Sequence, residues 1–247
     1  MDNIEFAVIG GTGLTEIEEL EIIHREVVHT PYGEPSGQFT HGQLGDKHIL
    51  FLARHGYAHS IPPHKVNYRA NIWALRSLGV SKIIAVAAVG GITAEMGPRK
   101  IIVPNQIIDY TSARAHTFFE EGLTSVTHVD FSHPYDETLR QAMLTAGEKA
   151  GVPLTDGAVY GATQGPRLET AAEINRMERD GCDLVGMTAM PEASLAREAG
   201  IGYASYNVVS NWAAGKSGGE VISLDDIYEN LSASMSQVRS LLKTMVC

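Results

Sequence analysis

The sequence predicts an α/β fold, a single-domain, three-layer arrangement with a largely parallel central sheet. Short apolar, β-branched segments recur along the chain, and their nearly continuous apolar character is typical of strands buried on both faces. Segments with helical spacing lie between several of them, and this alternation favours a parallel sheet. No repeat, low-complexity segment or linker divides residues 1–247, so we expect one domain. The predicted strands span 4–9, 48–53, 83–89, 101–108, 157–162 and 201–209.

The helices are predicted from apolar residues that recur every three or four positions. In the fourth helix Pro191 suits a first helical turn. The last helix begins near Ser223, where Asp225 and Asp226 place negative charge in its first turn. The predicted helices span 66–78, 136–150, 170–180, 191–199 and 223–245.

Composition excludes several classes of function. The formal net charge of −10 disfavours non-specific nucleic-acid binding, because no basic field displaces counterions from phosphates. The cysteines, Cys182 and Cys247, have no metal-ligand spacing, so we expect neither a disulfide framework nor structural zinc. No apolar run approaches the length of a membrane span and no signal pattern opens the chain, so we expect a cytoplasmic protein without membrane or nucleic-acid partners.

The first predicted strand runs directly into Gly10-Gly11-Thr12-Gly13. Small residues let the backbone approach a ligand closely, and exposed N–H groups with a hydroxyl form a cradle for an anion. The dinucleotide fingerprint fails because Glu16 stands where glycine or alanine is needed, and no Walker pattern follows. A phosphate-binding loop and an ordinary tight turn are both open interpretations of this segment alone.

Further polar residues follow other predicted strands. Arg54 and His55 come after the second strand and could bind an anion, although a solvated surface arginine is the alternative. Glu169 could read a ligand or provide a charge at a helix start, and Thr188 could bind phosphate or cap a helix. Asn211 could be a turn residue. Because ligands bind at the carboxyl ends of strands in such sheets, we expect these loops to converge.

Other enzyme classes lack their motifs in this chain. A serine hydrolase of the α/β type needs Gly-x-Ser-x-Gly, which is absent. The histidines are scattered along the sequence without the spacing of a zinc enzyme, so we expect no metal. A non-catalytic protein that binds nucleoside or phosphate stays open as an alternative from a different class.

Several motifs in order closely resemble the 5′-methylthioadenosine phosphorylase branch of the trimeric purine nucleoside phosphorylase family. They are Gly10–Gly13, Ala53–Gly56, His64–Leu75, Gly165–Arg167 and Met187-Thr188 with Pro191-Glu192. The resemblance implies a homotrimer with a distorted mixed sheet and an active site at the subunit interface. It also implies phosphorolysis of a purine nucleoside without metal or organic cofactor, with inorganic phosphate as a co-substrate.

The resemblance also implies roles for particular residues. Leu168 replaces the aromatic residue usual near the base, and Ala87 replaces a phosphate-binding threonine, which leaves the phosphate site one hydroxyl short. Phosphate would be held by Thr12, Arg54, His55, the backbone of Ala88 and Thr188. The substrate-binding set would comprise Met187 under the ribose, with Leu168, Val185, Asn211, Ala213, Leu224, Ile227, Tyr228 and His128.

Two residues predict a 6-oxopurine, hypoxanthine, rather than adenine. The resembled branch reads adenine with two aspartates, but this chain has Asn211-Trp212-Ala213 there. An asparagine can donate to O6 while its carbonyl accepts from N7–H. Glu169, in a context that resembles the 6-oxopurine enzymes, would accept from N1–H, which adenine lacks. Asn211 and Glu169 are therefore the expected catalytic residues.

The start of the last helix predicts an apolar substituent on the ribose. Residues 213–228 contain no histidine to meet a 5′-hydroxyl, whereas Leu224, Ile227 and Tyr228 form an apolar face. His128 matches a histidine that the resembled branch contributes from a neighbouring subunit. The expected substrate is S-methyl-5′-thioinosine. Three alternatives for the activity stay open: cleavage of methylthioadenosine, cleavage of 6-oxopurine nucleosides in general, and hydrolysis by water. The apolar face of the last helix could instead pack on the protein core.

Overall fold

The computed structural model describes residues 4–15, 17–218 and 221–246. The strands are β1 (Phe6–Gly10), β2 (Glu21–Glu26), β3 (Phe39–Leu44), β4 (Lys47–Ala53), β5 (Lys82–Gly91), β6 (Ile101–Val103), β7 (Gln106–Asp109), β8 (Leu154–Asp156), β9 (Val159–Ala162), β10 (Leu184–Gly186) and β11 (Gly202–Trp212). The α-helices are α1 (Tyr68–Ser77), α2 (Glu137–Ala150), α3 (Ala171–Arg179), α4 (Ala189–Glu198) and α5 (Leu224–Val246), and a 3₁₀ turn covers Pro63–Lys65.

All the described strands belong to one mixed sheet. Its main path runs β2-β3-β4-β1-β5-β10-β9-β7, and β11 pairs with β5 and β6, while β6 also pairs with β8. The centre is parallel, because β1 lies between β4 and β5 and β5 also pairs with β11 in parallel register. The outer strands β2 and β3 and the pairing of β10 with β5 are antiparallel. The predicted α/β fold with a largely parallel, distorted mixed sheet is confirmed.

The alternation of side chains along β1 shows how the layers form. Ala7 and Ile9 pack in a buried cluster with side chains of α1 and α4, whereas Phe6 and Val8 pack in a second cluster with side chains of α2 and α5. Successive residues of a strand point to opposite faces, so an uninterrupted apolar strand needs helices on both sides. The result is a sheet between two helical layers.

The structure corrects the predicted elements at particular places. The predicted strand 101–108 is two strands, β6 and β7, separated at Pro104, which has no N–H to donate to a sheet ladder. The strands β2, β3, β8 and β10 were not predicted. The exposed residues of β2 carry no apolar-run signal, and β8 and β10 are short.

Local signals explain where two helices begin. Asp136 caps α2 by accepting from the backbone N–H of Leu139, and Thr170 and Glu173 form a reciprocal capping box at α3. The capping box fixes the start of α3 two residues after Glu169. No helix in the described part of the chain combines the length and apolar composition needed to cross a membrane.

Candidate active site

A cavity of about 470 Å³ opens where the loops after several central strands meet. It receives residues that follow β1, β4, β9 and β10, together with the ends of β5 and β11. Segments far apart in sequence therefore share one wall. The predicted site residues on this wall are Thr12, Arg54, His55, Ala88, Leu168, Glu169, Val185, Met187, Thr188, Asn211, Ala213 and Ile227.

The glycine-rich turn after β1 packs closely against Val86 and Arg54 at the cavity. A Cβ added at Gly11 would lie 2.6 Å from the Val86 carbonyl oxygen and 2.9 Å from Nη1 of Arg54. Only glycine therefore lets this backbone pass so close to the arginine. Thr12, next in the turn, places its hydroxyl 3.4 Å from Nε2 of His59 at the same wall.

Arg54 is buried and is held by a carboxylate from α4. Its Nε and Nη2 donate to the two carboxylate oxygens of Glu192 at 2.7 and 2.8 Å, and Nη1 donates to the Val86 carbonyl at 3.0 Å. Burial disfavours the charged guanidinium and acts to lower its pKa, but the Glu192 carboxylate outweighs burial and raises the pKa of Arg54 above its ordinary value. Nη1 and Nη2 each keep one further N–H, so the fork can also serve an anion in the cavity.

His55 is buried as a neutral imidazole. Burial, and then the positive charge of Arg54, lower its pKa to about 4. Its Nδ1 lies 2.8 Å from the Ile61 carbonyl, and since a carbonyl only accepts, Nδ1 carries the hydrogen. Nε2 is then an acceptor, which suits a protonated phosphate oxygen rather than a bare anion.

Thr188 lies buried at the entry to α4. Within the described structure its side chain makes no capping hydrogen bond, so the capping interpretation is wrong for this hydroxyl. The backbone N–H of Thr188 donates to the Tyr160 hydroxyl at 3.4 Å. The Thr188 side chain lines the same cavity as Arg54 and His55.

Glu169 and Asn211 also line the cavity. Thr163 donates its hydroxyl hydrogen to Oε1 of Glu169 at 2.6 Å, which leaves the second carboxylate oxygen free to accept. Asn211 donates to the Trp212 carbonyl at 2.8 Å and accepts from the Ser210 hydroxyl at 2.7 Å. Its amide retains one N–H and one acceptor position for a ligand.

A β-bulge sets the direction of Asn211. The pairing of β11 with β5 shifts between Val209 and Asn211, so Ser210 is the extra residue. The Ser210 hydroxyl lies 3.2 Å from the Val89 carbonyl and 2.7 Å from the Asn211 carbonyl oxygen. Bulges redirect side chains next to active sites. The sequence offered no signal for this one.

The predicted apolar helix face is divided. Ile227 lies in the cavity wall together with Ile222, whereas Leu224 and Tyr228 are 64% and 59% exposed. The cavity wall, as the described residues of one chain form it, does not include Leu224, Tyr228 or His128. His128 is exposed in the segment between β7 and α2. The roles of these three residues stay predictions.

Arg114 positions two loops of the site from outside the described cavity lining, and the sequence did not reveal it. It is buried, and its guanidinium donates to the carbonyls of Thr163, Gln164, Met187 and Met190 at 2.6–3.1 Å. It therefore fastens the loop that carries Glu169 to the loop that carries Thr188. Because its partners are mostly backbone carbonyls, no residue pattern predicts the contact.

Comparison with known proteins gives consistent results over almost the whole chain. The family model described as the phosphorylase superfamily matches residues 5–246. A "Probable S-methyl-5′-thioinosine phosphorylase" of Xanthomonas campestris is 51% identical over 98% of this chain and 96% of its own length. The "6-oxopurine nucleoside phosphorylase" of Pyrococcus furiosus is 48% identical over 86% of this chain and 81% of its own. A methylthioadenosine phosphorylase from Schistosoma mansoni, solved with adenine, superposes with a TM-score of 0.94 at 33% identity, covering 98% of this chain and 91% of that one.

Proposed function

The chain belongs to the phosphorylase superfamily, and we propose that it catalyses phosphorolysis of S-methyl-5′-thioinosine. The products are hypoxanthine and 5-methylthioribose 1-phosphate. One observation carries the proposal: Glu169 and Asn211, which suit a 6-oxopurine, line the same cavity as Arg54, His55 and Thr188, which suit phosphate. The name of the Xanthomonas relative supports the same substrate.

Phosphate is the nucleophile in this proposal. The free N–H groups of Arg54, the hydroxyls of Thr12 and Thr188 and the Ala88 backbone hold the anion, while Nε2 of His55 accepts from its P–OH. An unprotonated oxygen of HPO₄²⁻ forms the new bond to C1′ as the bond from C1′ to N9 breaks. The bonding electrons leave with the base, which gains a proton at N7 from solvent, while the P–OH of the sugar phosphate returns a proton to solvent. The transition state resembles an oxocarbenium ion, so a fixed anion beside the sugar stabilises it without a covalent enzyme intermediate. No metal or organic cofactor is needed for this step.

The base is recognised by its pattern of donors and acceptors. The free oxygen of Glu169 accepts from N1–H of hypoxanthine, and the Asn211 amide donates to O6 and accepts from N7–H of the departing base. Adenine has no hydrogen on N1 and presents an amino group to the donor of Asn211. A site built to hydrogen-bond one pattern rejects the other by about 10⁴-fold.

The 5′-methylthio group lies against Ile222 and Ile227 in this proposal. Burying S-methyl there is favourable, whereas a 5′-hydroxyl would lose its hydrogen bonds to water. We propose that a homotrimer completes the pocket and that His128 of a neighbouring copy joins it. The exposed apolar Leu224 and Tyr228 at the start of α5 support a covering surface there. The buried free thiol of Cys182 suits the cytoplasmic location that we propose.

The substrate is tested with kcat/KM for S-methyl-5′-thioinosine, methylthioadenosine and inosine, with and without phosphate. We expect the methylthioinosine compound to be cleaved fastest and turnover to be negligible without phosphate. Faster cleavage of methylthioadenosine would overturn the base assignment. Equal cleavage of inosine would make the protein a broad 6-oxopurine phosphorylase, and binding without release of base would make it a binding protein.

The base contacts are tested with Asn211→Asp, which we expect to move preference toward adenine, although incompletely because the second aspartate is missing. Asn175→Asp introduces the same change on α3, outside the cavity wall, and is the matched control. Equal shifts in the two variants would remove Asn211 from base recognition.

The shared pocket is tested by mixing subunits. Arg54→Ala inactivates a chain's own phosphate site, and His128→Ala removes its contribution to a neighbour. Co-expressed tagged variants, isolated as mixed oligomers, should recover selectivity for the methylthio compound that neither homo-oligomer has. A fully selective monomer would refute the shared pocket.

A further inference from the structure

A second cluster of chemically capable side chains lies outside the cavity, on the antiparallel outer part of the sheet. His24 of β2 is directly opposite His41 of β3 in the register, and Glu26 lies two residues beyond His24. Residues opposite one another, and residues two apart along a strand, share a face. The fold thus brings together histidines that are scattered in the sequence.

The cluster is compact. Potential ligand atoms of His24, Glu26 and His41 all lie within 4.8 Å of one another. Nε2 of His41 is 2.9 Å from Oε2 of Glu26, and the rings of His24 and His41 stack with centroids 4.0 Å apart. Two imidazoles and one carboxylate are ligands that zinc and similar divalent transition metals prefer.

We propose that His24, Glu26 and His41 bind one divalent transition-metal cation of the zinc type. His41 would bind through Nε2, and water would complete the coordination. The site lies outside the described cavity lining and is separate from the phosphorolysis reaction. Its ligands come from two strands, so the cation would fasten the edge strand β2 to β3.

The surroundings of His41 support binding through Nε2. Its Nδ1 lies 3.3 Å from Nε2 of His48, which comes from β4. A metal-bound histidine generally donates its other N–H to a neighbouring acceptor, and this contact fixes ring and tautomer.

Because the proposed site lies at the edge of the sheet, a bound cation should stabilise the pairing of the edge strand β2 with β3. Residues of β2 are exposed or partly exposed, and β2 is the last strand on this side of the sheet. A bulge also interrupts its pairing with β3 between Ile22 and His24. A ligand that binds only the folded state stabilises it, so zinc should raise the unfolding temperature.

The test uses the full chain, freed of metal with a chelator and titrated with zinc chloride against a coloured zinc indicator. We expect one equivalent per chain, a higher Tm with zinc and a visible spectrum of low-coordinate cobalt when Co²⁺ replaces zinc. His24→Gln and Glu26→Gln should abolish stoichiometric binding. His48→Gln removes an outer partner, so it should weaken binding by about 10–100-fold. Phosphorolysis should be unchanged by zinc, which separates this test from that of the proposed function.

The matched control is His29→Gln. His29 forms an exposed pair with Glu34 at 2.9 Å, close in sequence but with only two ligands. The His29→Gln variant should bind zinc and cobalt as the wild type does. His24 is exposed, so its substitution avoids the folding defect that substitution of the buried His41 could cause. Zinc that binds His24→Gln as tightly as wild type, or a wild type that takes up no zinc at micromolar concentration, would overturn the site.

Discussion

Two regions of the active site are built differently: the phosphate site that we propose, called the phosphate end, and the first turn of α5, called the α5 end. At the phosphate end, Arg54 and Glu192 are each 1% exposed and joined by two hydrogen bonds, and His55 is fixed by the Ile61 carbonyl. At the α5 end, Ile227 lies in the cavity wall, whereas Leu224 and Tyr228 lie outside the described wall and are exposed. One chain forms these contacts of the phosphate end by itself and leaves apolar surface uncovered at the α5 end.

The difference fits what we propose that each end binds. An anion is held best by donors fixed in advance in a site of low dielectric, and buried cations need partners within the same fold. An apolar substituent needs only dry surface, which a second copy of the chain can supply. Substitutions at the phosphate end should therefore cost folding stability, and those at the α5 end should change selectivity alone.

Glu192→Gln should have the largest effect on stability. It leaves the buried Arg54 without its counter-charge, and breaking a buried pair costs about 3–5 kcal/mol. We expect the free energy of unfolding in urea to fall by about that amount and KM for phosphate to rise. Glu178→Gln changes an exposed carboxylate that is paired with the partly buried Lys216. It is the control and should lower the free energy of unfolding by less than about 1 kcal/mol. Equal effects of the two variants would contradict the preorganised phosphate end.

Arg114→Met should have the second largest effect on stability. The methionine fills much of the volume but leaves the carbonyls of two active-site loops without their donor. Hydrogen bonds to a charged group contribute about 1.5–3 kcal/mol, so we expect the free energy of unfolding to fall by about 3 kcal/mol. We also expect a higher KM for the nucleoside. Arg176→Met on the exposed side of α3 should stay within about 0.5 kcal/mol of wild type. A stable Arg114→Met enzyme with normal KM would show that the loops hold their shape unaided.

These residues also mark what the sequence could and could not predict. The central strands and the five α-helices of the described residues were predicted because burial on one or two faces imposes a period on the sequence. The cavity lining was predicted largely because strand ends converge and because the motifs resemble a known family. The partners of Arg54 and Arg114 were missed. Glu192 lies 138 residues from Arg54, and backbone carbonyls leave no trace in residue identity.

The outer sheet was missed for a related reason. Strand β2 is exposed and β3 carries His41 and Gly42, so neither has the apolar run that identifies the central strands. Strand pairing across a register cannot be inferred from one strand alone. For the same reason, the scattered histidines of the sequence gave no sign that His24 and His41 face each other.

His55 should make stability depend on pH at the phosphate end. Its pKa is about 4 in the folded protein and near 6.5 when unfolded, so between these values the unfolded chain binds more protons. Stability should therefore fall as pH drops from about 6.5 to 4, by about 2 kcal/mol through this residue. His55→Gln should flatten that part of the profile, and His29→Gln, which changes an exposed histidine, should not. An unchanged slope in His55→Gln would mean that His55 is not held neutral.

Leu224→Ala, at the α5 end, should have the smallest effect. Since the Leu224 side chain is 64% exposed in one chain, we expect the free energy of unfolding to change by less than about 0.5 kcal/mol. If a neighbouring copy covers this turn and the methylthio group lies beneath it, the variant should lower the kcat/KM ratio of S-methyl-5′-thioinosine to inosine. The substitution removes three carbon atoms, and if one of them contacts the methylthio group, the lost burial is about 0.8 kcal/mol and the ratio should fall about fourfold. Val221→Ala, also exposed and just before α5, should leave it unchanged. A constant ratio in Leu224→Ala would limit selectivity to Ile222 and Ile227, and the α5 end would then be as complete within one chain as the phosphate end.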